Sequence, residues 1–225
     1  MNPLLSLLLA AAVAQAEPPG RIAVKDAGGC TAVQREAVNK AKPEAKKRAQ
    51  GAQALVSRMT GGEVAAADKV KGYYKLMDLA WDPAAPAALE RNLGEIAKTI
   101  DTADYQCSTK ADQNCGSRAG YINRGDGAVI VHLCPLFFVD SASSQANTLV
   151  HESAHLLDDR IGDRDDSGAQ AYCGMYDCEM RCSDGPVVEG KKRPYYIADN
   201  WAHFVYCASG QTPDSFVITG SSKKK

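Results

Sequence analysis

The pentapeptide His151-Glu152-Ser153-Ala154-His155 has the residue types and the spacing of a metal-binding helix. Residues four apart lie one above the other on a helix, so both imidazoles can reach a single ion. Glu152 lies beside them without being needed as a ligand, and it can take a proton from a water molecule whose pKa the ion has lowered. This H-E-x-x-H pattern predicts a zinc site in which His151 and His155 are ligands and Glu152 is the catalytic base.

Two histidines leave zinc short of a protein ligand, because a catalytic zinc ion usually has three protein ligands and one open position. Asp158 and Asp159 are expected to continue the same helix, where they cannot fold back onto the ion. The polar loop that follows is better placed. It offers three acids, Asp163, Asp165 and Asp166, and residue type alone leaves the choice among them open.

Ala-rich helices are expected to precede this site. Over residues 31–59, small apolar residues recur every three or four positions, which is the helical period. Pro43 should kink or split this helix, and Gly61-Gly62 should end it. A second helix is expected over residues 63–79. A third is expected to have one apolar face, made of Leu89, Leu93, Ile96 and Ile100.

Short strands are expected after residue 101, at residues 105–107, 120–123 and 128–134. The last of these contains a run of β-branched residues that follows a turn sequence. The segment Ser141–Ser144 offers candidate N-caps for the helix that carries H-E-x-x-H and continues to Leu157. Two more helices are expected over residues 170–182 and 198–206. The pattern therefore predicts an α+β fold that is mainly helical.

The chain has 225 residues, 45% of them apolar, and a formal net charge of −1. This composition is that of a globular protein and excludes wholesale disorder. The near-zero charge provides no overall field for a nucleic acid. No apolar run reaches the roughly 18 residues that a membrane span needs. We therefore expect neither a nucleic-acid nor a membrane partner.

Residues 1–16 are apolar and end in Ala14-Gln15-Ala16, a small-x-small cleavage signal. We expect a secretory signal peptide that is cleaved after Ala16. A buried N-terminal helix is the alternative. Export would bring the eight cysteines into an oxidising compartment, and their even number then favours disulfides. The alternative is a four-cysteine zinc site made of Cys173, Cys178, Cys182 and Cys207.

The motif and its loop resemble the aspzincins, the metallopeptidase family of deuterolysin and peptidyl-Lys metalloendopeptidase, and are closest to its lysine-specific branch. In that family H-E-x-x-H is followed by a G-T-x-D-x-x-Y-G-type loop whose Asp is the third zinc ligand. Residues 162–170 can be laid on this loop, which places Asp165 at the ligand position. The similarity extends, in the family's order, to the region after Cys30 and to residues 105–107, 129–138 and 196–204.

The resemblance also implies roles for two further residues. The family Tyr that can hydrogen-bond the oxyanion falls on Gly168, and Tyr172 is the candidate replacement. Asp199 matches an acid that helps form the pocket for a substrate lysine; the alternative is that Asp199 caps the helix that follows. The resemblance implies the disulfides Cys30–Cys107 and Cys115–Cys134, and leaves three pairings open for the other four cysteines.

Together these features predict a signal peptide at 1–16 and one zincin-like domain over 17–225, helical at about 30–103, with the sheet and zinc site at about 104–210. We expect a secreted or periplasmic zinc metalloendopeptidase with one Zn²⁺, acting as a monomer on a peptide or protein substrate. The resemblance implies a preference for lysine. The alternative, which the missing Tyr favours, is a catalytically weak or inactive secreted zinc-binding domain with a binding or structural role.

Overall fold

The computed structural model describes residues 29–77, 85–123, 129–164, 167–169, 178 and 181–210. Within these ranges the chain is mainly helical with a small sheet, which confirms the α+β class expected from the sequence. The predicted signal peptide lies outside the described residues, and so does most of the predicted helix over 170–182. None of the described helices is long and apolar enough to cross a membrane.

Helix α1 spans Ala32–Thr60 and has a buried stripe along its length. Thr31 caps it in a capping box, because its side chain accepts from the Gln34 N–H while the Gln34 side chain accepts from the Thr31 N–H. The helix runs through Pro43, so the expected split is wrong. Pro43 is exposed, and the opposite face of α1 is held by packing against three later helices, which offsets the hydrogen bond that proline removes. Gly61 ends the helix as predicted.

Helices α2 (Val64–Met77) and α3 (Ala85–Thr102) pack against α1. The predicted apolar face of α3 is confirmed, because all four of its predicted residues are at most 1% exposed. The facing stripe of α1 consists mainly of alanines, whose small side chains allow the helices to approach closely. This stripe includes Ala41, Ala45, Ala49 and Ala52.

A three-stranded sheet lies beside the helices and carries one buried face. Its strands are β1 (Asp104–Cys107), β2 (Gly120–Ile122) and β3 (Ile130–Leu133), in the spatial order β1-β3-β2. Strand β3 is parallel to β1 and antiparallel to β2, so β2 is an edge strand. Tyr105, Val131 and Leu133 point from this sheet into the core.

Two helices follow the sheet. Helix α4 (Ala142–Ala154) begins within the predicted cap segment, and Ser141 is the cap: its hydroxyl accepts from the Ser144 N–H. A small hairpin of β4 (Val187–Val188) and β5 (Lys191–Lys192) precedes α5 (Ala198–Ala208). Helix α5 is buried along its whole length and packs against α1, α2 and α4.

Disulfides connect these elements. Cys30–Cys107 links the start of α1 to β1, and Cys115–Cys134 links the loop before β2 to the end of β3, so both implied pairs are confirmed. A third bridge joins Cys178 to Cys207, and Cys182 is also disulfide-bonded. The alternative of a four-cysteine zinc site is therefore wrong. Bridged cysteines are typical of proteins that fold in an oxidising compartment.

Arg48 connects three of the helices through its buried guanidinium group. From α1 it donates to the Asn147 side chain (2.8 Å) and to the Ser143 carbonyl (3.2 Å) on α4. It also bonds Glu44 and lies 5.5 Å from the centre of the Tyr206 ring on α5. A charge that is only 4% exposed is tolerated because all of these partners surround it.

Replacing this side chain tests its structural role. Arg48→Met keeps much of the volume but leaves the acceptors on α4 without their donor, so we expect the free energy of unfolding to fall by about 3 kcal/mol. Lys40→Met removes an exposed cation from the same helix and should change stability by no more than about 0.5 kcal/mol. Denaturant unfolding followed by circular dichroism measures both; equal effects would contradict the assignment.

Candidate metal centre

The H-E-x-x-H segment lies at the carboxyl end of α4, which ends at Ala154 rather than continuing to Leu157 as predicted. His155 is the C-cap residue, and its φ of −56° and ψ of −21° are still helical, so its ring lies one turn from that of His151. The helix ends here because Asp158 stabilises a turn: its carboxylate accepts from the Arg160 N–H at 2.9 Å. The expectation that Asp158 and Asp159 continue the helix is therefore wrong.

The turn after α4 carries Asp163 back to the two histidines. Gly162 forms a parallel bridge with Ile197, just before α5: its N–H donates to the Tyr196 carbonyl (2.9 Å), and its own carbonyl accepts from the Ala198 N–H (3.1 Å). Fixed in this way, the next residue directs its carboxylate at the histidines. Asp163 Oδ1 lies 3.0 Å from the Nε2 atoms of His151 and of His155, which are 3.2 Å apart.

These distances suit a metal ion bound by three protein ligands. Two donor atoms at about 2.1 Å from a zinc-sized ion and at a tetrahedral angle lie about 3.4 Å apart. The three donors of this centre are separated by 3.0 to 3.2 Å, close to that value. All three residues are largely buried, and together they form a group that can hold a metal ion.

The hydrogen bonds made by Nδ1 of His151 and of His155 indicate that the centre requires positive charge. His151 Nδ1 lies 2.6 Å from Asp199 Oδ1, and His155 Nδ1 lies 2.9 Å from the Ile161 carbonyl. Because both acceptors need a proton, each Nδ1 is the protonated nitrogen and each Nε2 presents a lone pair. Two such lone pairs and the buried Asp163 Oδ1 then face one another, which is repulsive unless a cation lies between them.

The ionisation of His151 shows the same demand for positive charge. Burial alone would lower the pKa of His151, but the negative charge of Asp199 and its neighbours raises this pKa well above its ordinary value. A proton on His151 and a metal ion among the three donors are two ways to supply that charge. The centre is therefore built for a cation.

Glu152 lies between the metal-binding residues and the sheet. Its side chain is only 3% exposed, and an ideal Cβ added to Gly120 would come within 3.0 Å of Glu152 Oε1. A side chain at position 120 would therefore require this carboxylate to shift by a few tenths of an ångström. Burial raises the pKa of Glu152, and a positive charge at the neighbouring histidines would oppose the rise. A raised carboxyl pKa suits a group that accepts a proton and later returns it.

The structure brings some of the predicted site residues together, and others lie outside the residues that it describes. His151, Glu152 and His155 come together, and of the three acids that the sequence left open, Asp163 joins them. Asp165 and Asp166 lie outside the described residues, as does Tyr172. Sequence reasoning did not single out Gly120, because its importance comes from a strand 32 positions away from Glu152 along the chain.

Asp199 lies in the first turn of α5, where Ile197 and not Asp199 is the capping residue, so the N-cap alternative is wrong. Its carboxylate instead hydrogen-bonds His151, one of the candidate ligands, as carboxylates behind the ligand histidines of zinc sites do. The role of Asp199 in a lysine pocket stays a prediction.

A second cluster of residues of types that can bind metals lies at α5, but two of its members are joined in a disulfide. Donor atoms of Cys178, His203 and Cys207 are within 4.8 Å of one another. The two cysteines form a disulfide, however, so they offer no thiolate to an ion. Among the described residues, the centre at His151 is therefore the one whose donor atoms are ready for a metal.

Comparison with known proteins identified no relative of this chain. No protein-family model, no curated protein and no solved structure matches this chain. The resemblance to the aspzincins therefore stays a prediction, and the functional argument rests on the geometry of the metal centre.

The assignment of the third ligand can be tested by removing it. Asp163→Ala deletes one of three donors, so the affinity of the variant for a divalent ion should fall by more than about a hundredfold. That value is the upper end of the loss seen when a residue that only hydrogen-bonds a ligand is replaced. Competition with a chromophoric chelator measures this affinity. Asp165→Ala is the matched comparison; an equal or larger loss in that variant would show that Asp163 is not the ligand.

The contact between Asp199 and His151 predicts a smaller effect. Asp199→Ala should weaken metal binding by about 10- to 100-fold, because the histidine loses the acceptor that fixes its tautomer and ring orientation. The same chelator titration applies, with thermal unfolding of the metal-free protein as a check on folding. Unchanged affinity would restrict Asp199 to a substrate or structural role.

Proposed function

We propose that this protein is a zinc-dependent metalloendopeptidase of the aspzincin type. The observation that carries the proposal is the convergence of three buried metal donors with a buried glutamate beside them. Glu152 follows His151 directly in the chain and is not among the converging ligands, so it is available as a base. Its position is the one expected for a residue that activates water.

The donor set favours zinc among the common divalent ions. Two neutral imidazoles and one carboxylate are a frequent ligand set of catalytic zinc, with an open position left for a water molecule or substrate. Magnesium and calcium prefer sites made of oxygen ligands alone. The proposed ligands are His151, His155 and Asp163, and Asp165 remains the ligand that the resemblance implies.

The chemistry is divided between the ion and the chain. When bound, zinc lowers the pKa of a water molecule and polarises the carbonyl of the scissile bond. Glu152 takes a proton from the attacking water and passes it to the leaving amine, for which its raised carboxyl pKa is suitable. Asp199 keeps His151 in the required tautomer throughout.

The open edge of β2 supports a peptide as the substrate. In the described part of the chain, β2 pairs with β3 alone. The Cys134 N–H donates to the Ala119 carbonyl, so residues 119 and 121 bond inward, and the peptide groups of Gly120 and Ile122 turn outward. An extended peptide can add to this edge as a further strand, which would bring it past Glu152.

A secreted or periplasmic enzyme agrees with the bridged cysteines. A preference for lysine would require Asp199 to pair with a substrate ammonium group while it also holds His151. Only a preference for lysine requires this dual use of Asp199; the peptidase mechanism does not depend on it.

The second candidate is a zinc-binding domain without turnover. Gly168, which occupies the position of the family tyrosine, has a φ of 75°, a backbone conformation that a tyrosine rarely adopts. The oxyanion donor of that family is therefore missing at this position. Loss of one such donor typically costs a factor of about 10²–10³ in turnover.

Glu152→Gln separates the two candidates. Glutamine keeps the size of the side chain but cannot accept the proton, so cleavage of casein or of a mixed peptide library should slow by about 10²–10⁴-fold while zinc remains bound. Zinc content is measured by atomic absorption on the same samples. Glu95→Gln, which changes an exposed carboxylate on α3, should leave cleavage unchanged.

Three outcomes have distinct meanings. Chelator-sensitive cleavage that depends on Glu152 supports the peptidase. Stoichiometric zinc with no cleavage of any peptide by the unmodified protein favours the binding domain. Cleavage that persists in Glu152→Gln with zinc retained would overturn the proposed mechanism.

A further inference from the structure

Gly120 is a buried glycine in strand β2, at a position where glycine is unfavourable. Glycine loses more conformational freedom on folding than any other residue, and in a strand it has no side chain to pack. Its φ lies outside the left-handed region, so the backbone conformation does not require glycine. The reason for a glycine at this position is therefore to be sought in what the missing side chain leaves room for.

The carboxylate of Glu152 fills that room. An ideal Cβ at position 120 would lie 3.0 Å from Glu152 Oε1 and 3.3 Å from Glu152 Cδ, as well as 3.2 Å from the His132 carbonyl oxygen. These separations are shorter than the roughly 3.5–4.0 Å of a favourable contact between carbon atoms. The buried carboxylate therefore packs directly against the main chain of Gly120.

The main chain at Gly120 is fixed from both directions along the strand. On one side, the Ala119 carbonyl accepts from the Cys134 N–H at 2.9 Å, and Cys134 is tied by its disulfide to Cys115 in the loop before β2. On the other side, Tyr121 pairs with His132 in the antiparallel register of β2 and β3. Strand β2 therefore offers Glu152 a rigid wall, which a functional side chain needs if it is to hold one position.

We propose that Gly120 is a positioning residue that sets the place of the Glu152 carboxylate beside the metal centre. The inference rests on the proposed function, because the exact place of this carboxylate matters only if Glu152 transfers a proton. A glutamate side chain has several rotatable bonds, and a misplacement of about 1 Å can cost about a hundredfold in rate. Even the methyl group of alanine at position 120 would require the carboxylate to shift.

The same residue would also contact the substrate. The peptide groups of Gly120 turn outward, away from β3, so a peptide strand added to the open edge would hydrogen-bond to them. Glu152 packs against Gly120 from within the protein. One residue thus sets the distance between the bound peptide and the group that activates the attacking water.

The contact can be measured without turnover, by a double-mutant cycle on the metal-free protein. Gly120→Ala is made in the unmodified chain and in Glu152→Ala, where the carboxylate is absent. Alanine should lower the midpoint of thermal unfolding by about 2–4 °C more in the first background than in the second. The contact of the new Cβ with the His132 carbonyl is present in both backgrounds and cancels from the difference.

Kinetics of the zinc-loaded protein then test the positioning role. Gly120→Ala should lower kcat for a peptide substrate by about tenfold to a hundredfold, while KM and bound zinc stay unchanged. In Glu152→Gln, which has no base to misplace, the same substitution should not slow cleavage further. Gly72→Ala is the matched control: this exposed glycine of α2 has open space where its Cβ would lie, so neither kcat nor KM should change.

The outcomes separate this inference from the proposed function. An equal shift of the unfolding midpoint in both backgrounds, or a failure of Gly120→Ala to fold in either, would show that alanine disturbs the strand and not Glu152. A coupled shift with unchanged kcat would show a contact that does not position the base. Either result overturns the inference and leaves the peptidase intact. If the unmodified protein cleaves no peptide, the proposed function is wrong and the positioning role falls with it.

Discussion

The molecule is organised around the mutual repulsion of three buried electron pairs. The Nε2 atoms of His151 and His155 and the Oδ1 atom of Asp163 are held about 3 Å apart. Only a rigid surrounding structure can hold acceptors in this way. The end of α4 positions the histidines, the bridge between Gly162 and Ile197 positions the aspartate, and the buried α5 supplies the carboxylate behind His151.

Local signals in the sequence predicted much of this structure. Helical periodicity located α1 and α3, helices were also expected where α2 and α5 lie, and the serine-rich cap segment and the H-E-x-x-H spacing located α4. Prediction failed where a side chain or tertiary packing overrides periodicity. Asp158 ends α4 earlier than its apolar pattern suggests, and α1 continues through Pro43 because its other face is packed along its length.

Long-range pairings at the site were beyond the reach of sequence patterns. Nothing in the spacing of Asp163, Asp165 and Asp166 indicates which carboxylate returns to the histidines, because that depends on two backbone hydrogen bonds to a segment 35 positions later. The contact of Asp199 with His151 and the passage of Gly120 in front of Glu152 are of the same kind. The resemblance to a family correctly implied two disulfides, whose partners lie 77 and 19 positions apart.

The bridge at Gly162 has a consequence for the lifetime of the protein. It joins the end of α4 to the start of α5, so an ion bound at Asp163 stabilises this junction as well as the centre itself. At a free ion concentration 100 times the dissociation constant, such binding adds about 2.7 kcal/mol to the stability of the folded state. If the centre binds an ion as proposed, a chain without that ion would unfold more often and be degraded sooner. Metal supply would then control how much of the protein persists.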